Sequence, residues 1–191
     1  MKMTTFQLFS ELQHELDLSI QFFNTLKITY SIEQLQKKPA PNKWSAAECI
    51  HHLIRTADHY FPQFEALKDT AAQDEKDQKL TPRFFGKLMV KAMKPKGNNV
   101  TWKMSTFDNF QPDPTRSLSS SLIDNYITYL NRYHTFIRMA KHLDANKQTI
   151  ISAIGPILKF SLADALHFLI AHNSRHKVQI NQTLSILNNK P

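Results

Sequence analysis

Two of the nine histidines in this sequence, His172 and His176, stand four residues apart in a segment of helical periodicity. On an α-helix that spacing puts both side chains on one face, a single turn apart, where both can reach one metal ion. Leu162, Leu166, Leu169, Ile180, Leu184 and Leu187 define the apolar face of the segment, and the two histidines fall along one edge of it. Imidazoles at the margin of a core must find hydrogen-bond partners or bind something, since burying them unsatisfied costs on the order of 1 to 3 kcal/mol each. His167 is expected to point the other way, toward solvent. A third ligand is needed, and an earlier segment offers His51, His52 and His59. Its apolar centre, around Ile50, Ile54, Ala57 and Phe61, leaves His51 on one flank and His52 nearer the opposite side. Periodicity alone does not select among the three.

Other chemistries find less support. In a His-Glu-x-x-His metallopeptidase a glutamate beside the first histidine is the base, but here that neighbour is Asn173, which argues against peptidase activity. Three glycines, at 86, 97 and 155, form no phosphate-binding loop, and no nucleophile elbow is present. The single cysteine, Cys49, has no partner for a disulfide or a Cys-only zinc site, and it sits in an apolar helical segment where a buried inert thiol is expected.

The elements that must position the histidines are helical, because four long segments carry a 3.6-residue period and little of the chain alternates with period two. The first runs from about Thr5 to Leu26, with Phe6, Phe9, Leu12, Leu16, Ile20 and Phe23 along one stripe. The second opens at Trp44-Ser45-Ala46-Ala47-Glu48-Cys49, where Ser45 and Glu48 have the spacing of a capping box and Trp44 and Cys49 that of a hydrophobic staple. It is expected to continue to about Lys68, with Pro62 interrupting one hydrogen bond. Thr70 to Pro114 reads as a long connection holding one short helix, Phe84 to Met93. The third long helix spans about Leu118 to Leu143. Asn146 to Phe160 reads as a connection. Ser161 and Asp164 then start the fourth, which runs to about Leu187.

The chain is 191 residues long, enough for one domain over residues 1–191 with its own core. No apolar run approaches the roughly 20 residues of a membrane span. Met1 to Phe6 lacks the apolar core of a secretory signal, so a cytoplasmic location is expected. The net charge of +8 favours anionic partners. Arg83, Lys87, Lys91, Lys94, Lys96 and Lys103, interleaved with Phe84, Phe85 and Trp102, form a basic aromatic strip. Lys87, Lys91 and Lys94 nevertheless have the spacing of a solvated helix face opposite Phe84, Leu88 and Met89, so nucleic acid is not the expected partner.

The segment Trp44-Ser45-x-x-Glu48-x-x-x-His52-Leu53, followed far downstream by His172-x-x-x-His176-x-x-Gln179-Ile180, resembles the paired signature of DinB-like proteins. The similarity extends over nearly the whole chain. It implies an all-α four-helix bundle with a long crossover between the second and third long helices. It also implies a divalent metal, zinc or nickel, on His52, His172 and His176, with His51 the alternative if the register is one residue off. Three imidazoles leave a coordination position open, as in catalytic sites. Relatives that use low-molecular-weight thiols, and others described as hydrolases, imply two reaction classes acting on a small, anionic substrate. Thiol S-transfer is the better match to the positive charge, metal-dependent hydrolysis the alternative, and a non-catalytic basic binding module the third reading. Glu48, one turn before His52, could support that ligand, although its capping role accounts for it. A homodimer is expected from the same resemblance.

Overall fold

The computed structural model describes residues 3–72, 74–100, 106, 108–112 and 119–189. Trp102 and Lys103 of the basic strip, Pro114 and the expected helix start at Leu118 lie outside them. Among the described residues there are six α-helices and one two-stranded sheet: α1 (Thr5–Thr29), α2 (Ile32–Gln36), α3 (Ala46–Glu65), α4 (Phe84–Met93), α5 (Leu122–Ala140), β1 (Thr149–Ser152), β2 (Gly155–Ser161) and α6 (Leu162–Asn188). None of these helices is long and apolar enough to cross a membrane.

Helix starts follow their caps. Ser45 Oγ accepts from Glu48 N at 3.1 Å while Glu48 Oε2 accepts from Ser45 N at 2.8 Å, closing the box that opens α3. Ser161 and Asp164 open α6 in the same way. Pro62 falls in the last turn of α3, which ends at Glu65, three residues short of the expected Lys68. Helix α5 is shorter than expected at both ends, stopping at Ala140 rather than Leu143.

The four long helices pack in a ring: α1 meets α5 and α6, and α3 meets the same two. Phe9, Phe23, Phe61, Phe64, Phe136, Tyr60 and Tyr126 are fully buried among them. Phe61 is held edge-on by Tyr133 and Phe136, with ring centroids at 4.8 and 4.9 Å, and the Arg132 guanidinium lies 4.4 Å over its face.

Three expectations need correction. Residues 149–161 are not a plain connection but an antiparallel hairpin, with Ile150 opposite Phe160 and a bulge between Ile151 and Ser152. Helix α3 holds it: Gln63 bonds both the N–H and the C=O of Ile151, at 2.8 and 3.1 Å, and Ala153 N donates to the Tyr60 hydroxyl at 3.0 Å. The buried face of α4 is Gly86, Met89, Val90 and Met93, whereas Phe84 is 87% exposed and Leu88 44% exposed. Gly86 sets that rotation, because a Cβ there would stand 2.4 Å from Asp164 Cγ; only glycine lets α4 approach the start of α6. His167, expected in solvent, is half-buried on the α6 side that receives α4. Desolvation, reinforced by Lys94, pushes its pKa down to about 4.

Candidate metal centre

Helices α3 and α6 lie side by side, and each presents histidine to the other. His52, His172 and His176 are all buried. His52 Nε2 lies 3.2 Å from His172 Nε2, and His176 Nε2 lies 2.9 Å from the same atom. One nitrogen from each of the three residues falls within 4.8 Å of the other two, an arrangement that could hold a metal ion. The two short separations approach the edge of about 3.3 Å expected for a tetrahedron with metal–nitrogen bonds of about 2.0–2.1 Å.

The donor chemistry fits a cation. Burial is the main cause that lowers the His52 pKa to about 4, and it holds those of His172 and His176 well below the ordinary histidine value, with the neighbouring imidazoles adding to the effect. All three rings are therefore neutral at pH 7, the form in which imidazole ligates. His52 Nδ1 is 2.7 Å from the Phe110 carbonyl. A carbonyl only accepts, so Nδ1 carries the proton and Nε2 keeps its lone pair for the centre. Three such nitrogens cannot all be satisfied by one another: a proton on His172 Nε2 serves one neighbour and leaves the other facing it without a bond. A cation among them would satisfy all three at once. His172 Nδ1 and His176 Nδ1 have no hydrogen-bond partner among the described residues, and neither does Gln179 Oε1 one turn further along α6.

Aromatic rings wall the site. Trp44, at the mouth of α3, stands 5.0 Å from the His52 ring and stacks on His176 at 6.2 Å and 17°. Phe168 stacks on His172 at 5.9 Å, nearly parallel. The tryptophan expected to staple α3 thus also covers the histidines.

The other sequence candidates fall elsewhere. His51 is buried but outside the three-histidine group. His59 forms a T-shaped pair with Phe110 at 5.6 Å, beside a pocket of about 380 Å³ lined also by Arg55, Asp58, Asn109 and Ala153. Glu48 directs its carboxylate to Ser45 N and to the Lys38 ammonium at 2.8 Å, so its described contacts serve the cap and an ion pair rather than His52. Asn173 faces the core, accepting from the Tyr126 hydroxyl at 3.0 Å and donating to Ser19 Oγ at 2.7 Å. Cys49 is buried, and its thiol is pushed up to about 12, chiefly by desolvation, which keeps it protonated and inert.

Sequence reasoning missed Arg55 and the turn around Phe110. Arg55 lies three residues beyond His52 and hence on its face of α3, a legible signal. The carbonyls it meets are backbone atoms, which leave no side-chain signature.

The model of the DinB superfamily matches residues 12–180, and the chain belongs to that superfamily. The match takes in α3 with His52 and the part of α6 that carries His172 and His176. No curated protein and no solved structure matches the chain.

Proposed function

We propose that residues 1–191 form one DinB-like domain that binds a single divalent ion, zinc or nickel, through His52, His172 and His176, and uses it on a small-molecule substrate in thiol S-transfer. The ring of contacts among α1, α3, α5 and α6 supports a four-helix bundle, and the long connection between α3 and α5 is read as its crossover. The observation that carries the metal reading is the convergence of three Nε2 atoms, two of them 2.9 and 3.2 Å from the third, with His52 already holding its proton on the outer nitrogen.

Three protein nitrogens leave a four-coordinate ion one position open, as in catalytic sites. When bound, such an ion supplies Lewis acidity that favours the deprotonated form of a thiol or of water near pH 7. The protein's own residues favour the thiol. Hydrolysis calls for a general base, and among the described residues no carboxylate joins the three histidines. Glu48 is engaged by Ser45 and Lys38, and Asn173 is turned into the core. A thiol brings its own nucleophile. Its proton passes to solvent, a carbon–sulfur bond forms at the electrophile, and the leaving group departs with the electron pair of the broken bond. The net charge of +8 attracts an anionic thiol, while Trp44 and Phe168 exclude water from the imidazoles.

Cobalt-loaded protein titrated with a small anionic thiol tests the reading. A thiolate-to-cobalt absorption band and thiol-dependent consumption of an alkylating electrophile, both lost in His172→Ala, are expected. Metal binding with no thiol band but with ester cleavage would instead assign hydrolysis.

A further inference from the structure

Three consecutive backbone carbonyls point at α3. Arg55 Nη2 donates to Asn109 O at 2.7 Å, His52 Nδ1 donates to Phe110 O at 2.7 Å, and Arg55 Nη1 donates to Gln111 O at 2.9 Å. An extended chain turns alternate carbonyls to opposite sides and could not present all three. Residues Asp108–Phe110 form a single 3-10 turn, in which successive carbonyls share a direction along the axis. The turn is closed by Gln111 N donating to Asp108 O at 3.2 Å, and Gln111 Nε2 reaches Asp108 Oδ1 at the same distance. It is a short piece, and among the described residues its hydrogen bonds to other elements run to α3. Those contacts run along one stripe of the helix: His52, Arg55 and His59, spaced by three and four residues, with the His59 and Phe110 rings in a T-shaped pair.

We infer that Arg55 is a positioning residue for the metal site, its guanidinium bracketing Phe110 so that the Phe110 carbonyl fixes His52 as the Nδ1–H tautomer with Nε2 aimed at His172. The fork of a guanidinium suits this task, because two N–H groups at a fixed spacing can hold the carbonyls on either side of a third. A neutral imidazole released from the carbonyl is free to carry its proton on Nε2, and a ring in that state cannot ligate through Nε2 at all. Arg55 thus acts on the site through the backbone of residues 109–111 without touching any of the three Nε2 atoms. In its consequence for metal binding the inference rests on the site proposed above; its structural claim does not.

The test uses the full chain, metal-free, with nitrogen-15 in its histidines. In the wild type, long-range proton–nitrogen correlation is expected to show His52 as the Nδ1–H tautomer. Arg55→Ala is expected to show a mixture of tautomers at His52, while the helix content is retained. Titration with Zn²⁺ should then give a dissociation constant raised about ten- to a hundredfold, the usual cost of losing an outer hydrogen bond on a ligand. Arg55→Lys keeps the charge but offers a single donor group, and should fall between wild type and alanine in both readouts. Should Arg55→Ala fail to fold, the lysine variant decides alone. A His52 ring that stays wholly Nδ1–H in these variants, even with a lowered melting temperature, overturns the inference. A wild type that takes up no Zn²⁺ removes the metal site instead, and the tautomer still decides the role of Arg55.

Discussion

Two stretches of α6, eight residues apart, treat buried polar groups in opposite ways. At its start, the Asp164 carboxylate accepts from Ser161 N at 3.4 Å and from Arg83 N at 3.0 Å, and Arg83 itself reaches on to Phe160 O at 3.1 Å and Thr149 Oγ1 at 3.0 Å. Asp164 is answered by protein donors, and the cluster ties α6 to α4 and the hairpin. Two turns later, His172 and His176 crowd their Nε2 atoms together with that of His52, while their Nδ1 atoms meet no acceptor among the described residues. Buried polar groups are normally paired, and each exception asks for a reason. The first stretch is what α6 looks like where it serves the fold, and the second is where it leaves buried polar atoms unpaired, as the proposed metal site would require.

Breaking the second stretch should have the larger effect on ligand and the smaller one on stability. His172→Ala is expected to weaken Zn²⁺ binding by more than about a hundredfold, beyond the cost of any outer-sphere change, as read by competition with a chelator. Changing His52, His172 and His176 together to Leu should leave the metal-free protein at least as stable as the wild type in urea, because replacing all the partners of a crowded polar group by apolar side chains is neutral or favourable.

The first stretch should answer in reverse. Asp164→Ala leaves Ser161 N and Arg83 N without their acceptor and is expected to cost about 1 to 3 kcal/mol of stability, with the Zn²⁺ affinity of the folded protein unchanged. Gly86→Ala tests the same junction from α4. Its Cβ would meet a carboxylate pinned by two N–H groups, and overpacking of this kind costs about 1 to 2 kcal/mol, measurable as a lower urea midpoint.

The effect that shows least at neutral pH is one of proton binding. His167, near the same junction, has its pKa lowered to about 4 by burial, against an unfolded value of about 6.5. The unfolded chain therefore binds the proton first, so this contribution is present above pH 6.5 and is lost as pH falls toward 4. His167→Gln should flatten the fall in stability between those limits by up to one proton's worth of slope, with His52, His59, His172 and His176 among the groups that carry the remaining dependence.

The same contrast explains what the sequence made legible. Caps are local, and Ser45 with Glu48 and Ser161 with Asp164 placed the starts of both histidine-bearing helices to the residue. The Phe84–Met93 helix was equally readable. A capping box at Ser31 and Gln34 also marks α2, a signal present in the sequence but attached to only five residues. The hairpin was lost because Thr149–Ser152 alternates over only four residues, too few to distinguish from a loop. His52 was misplaced on the helical wheel because a wheel assumes one buried face. Every residue from Ala46 to Ile54 is buried, so α3 has no exposed side there to define an apolar one. In α4 the wheel chose Phe84 and Leu88 as buried, whereas a glycine, which carries no hydrophobic signal, decided the face. The pair on α6 was visible in its spacing, while the third histidine and the carbonyl that orients it depend on contacts across 120 and 58 residues.

The central claim, that three imidazoles from α3 and α6 hold one divalent ion, is tested most directly by titrating metal-free protein with Zn²⁺ in a calorimeter, beside the variant with His52, His172 and His176 all changed to Ala. We expect one ion per chain for the wild type and none for the triple variant. Equal binding by both proteins, or none by the wild type, would contradict it.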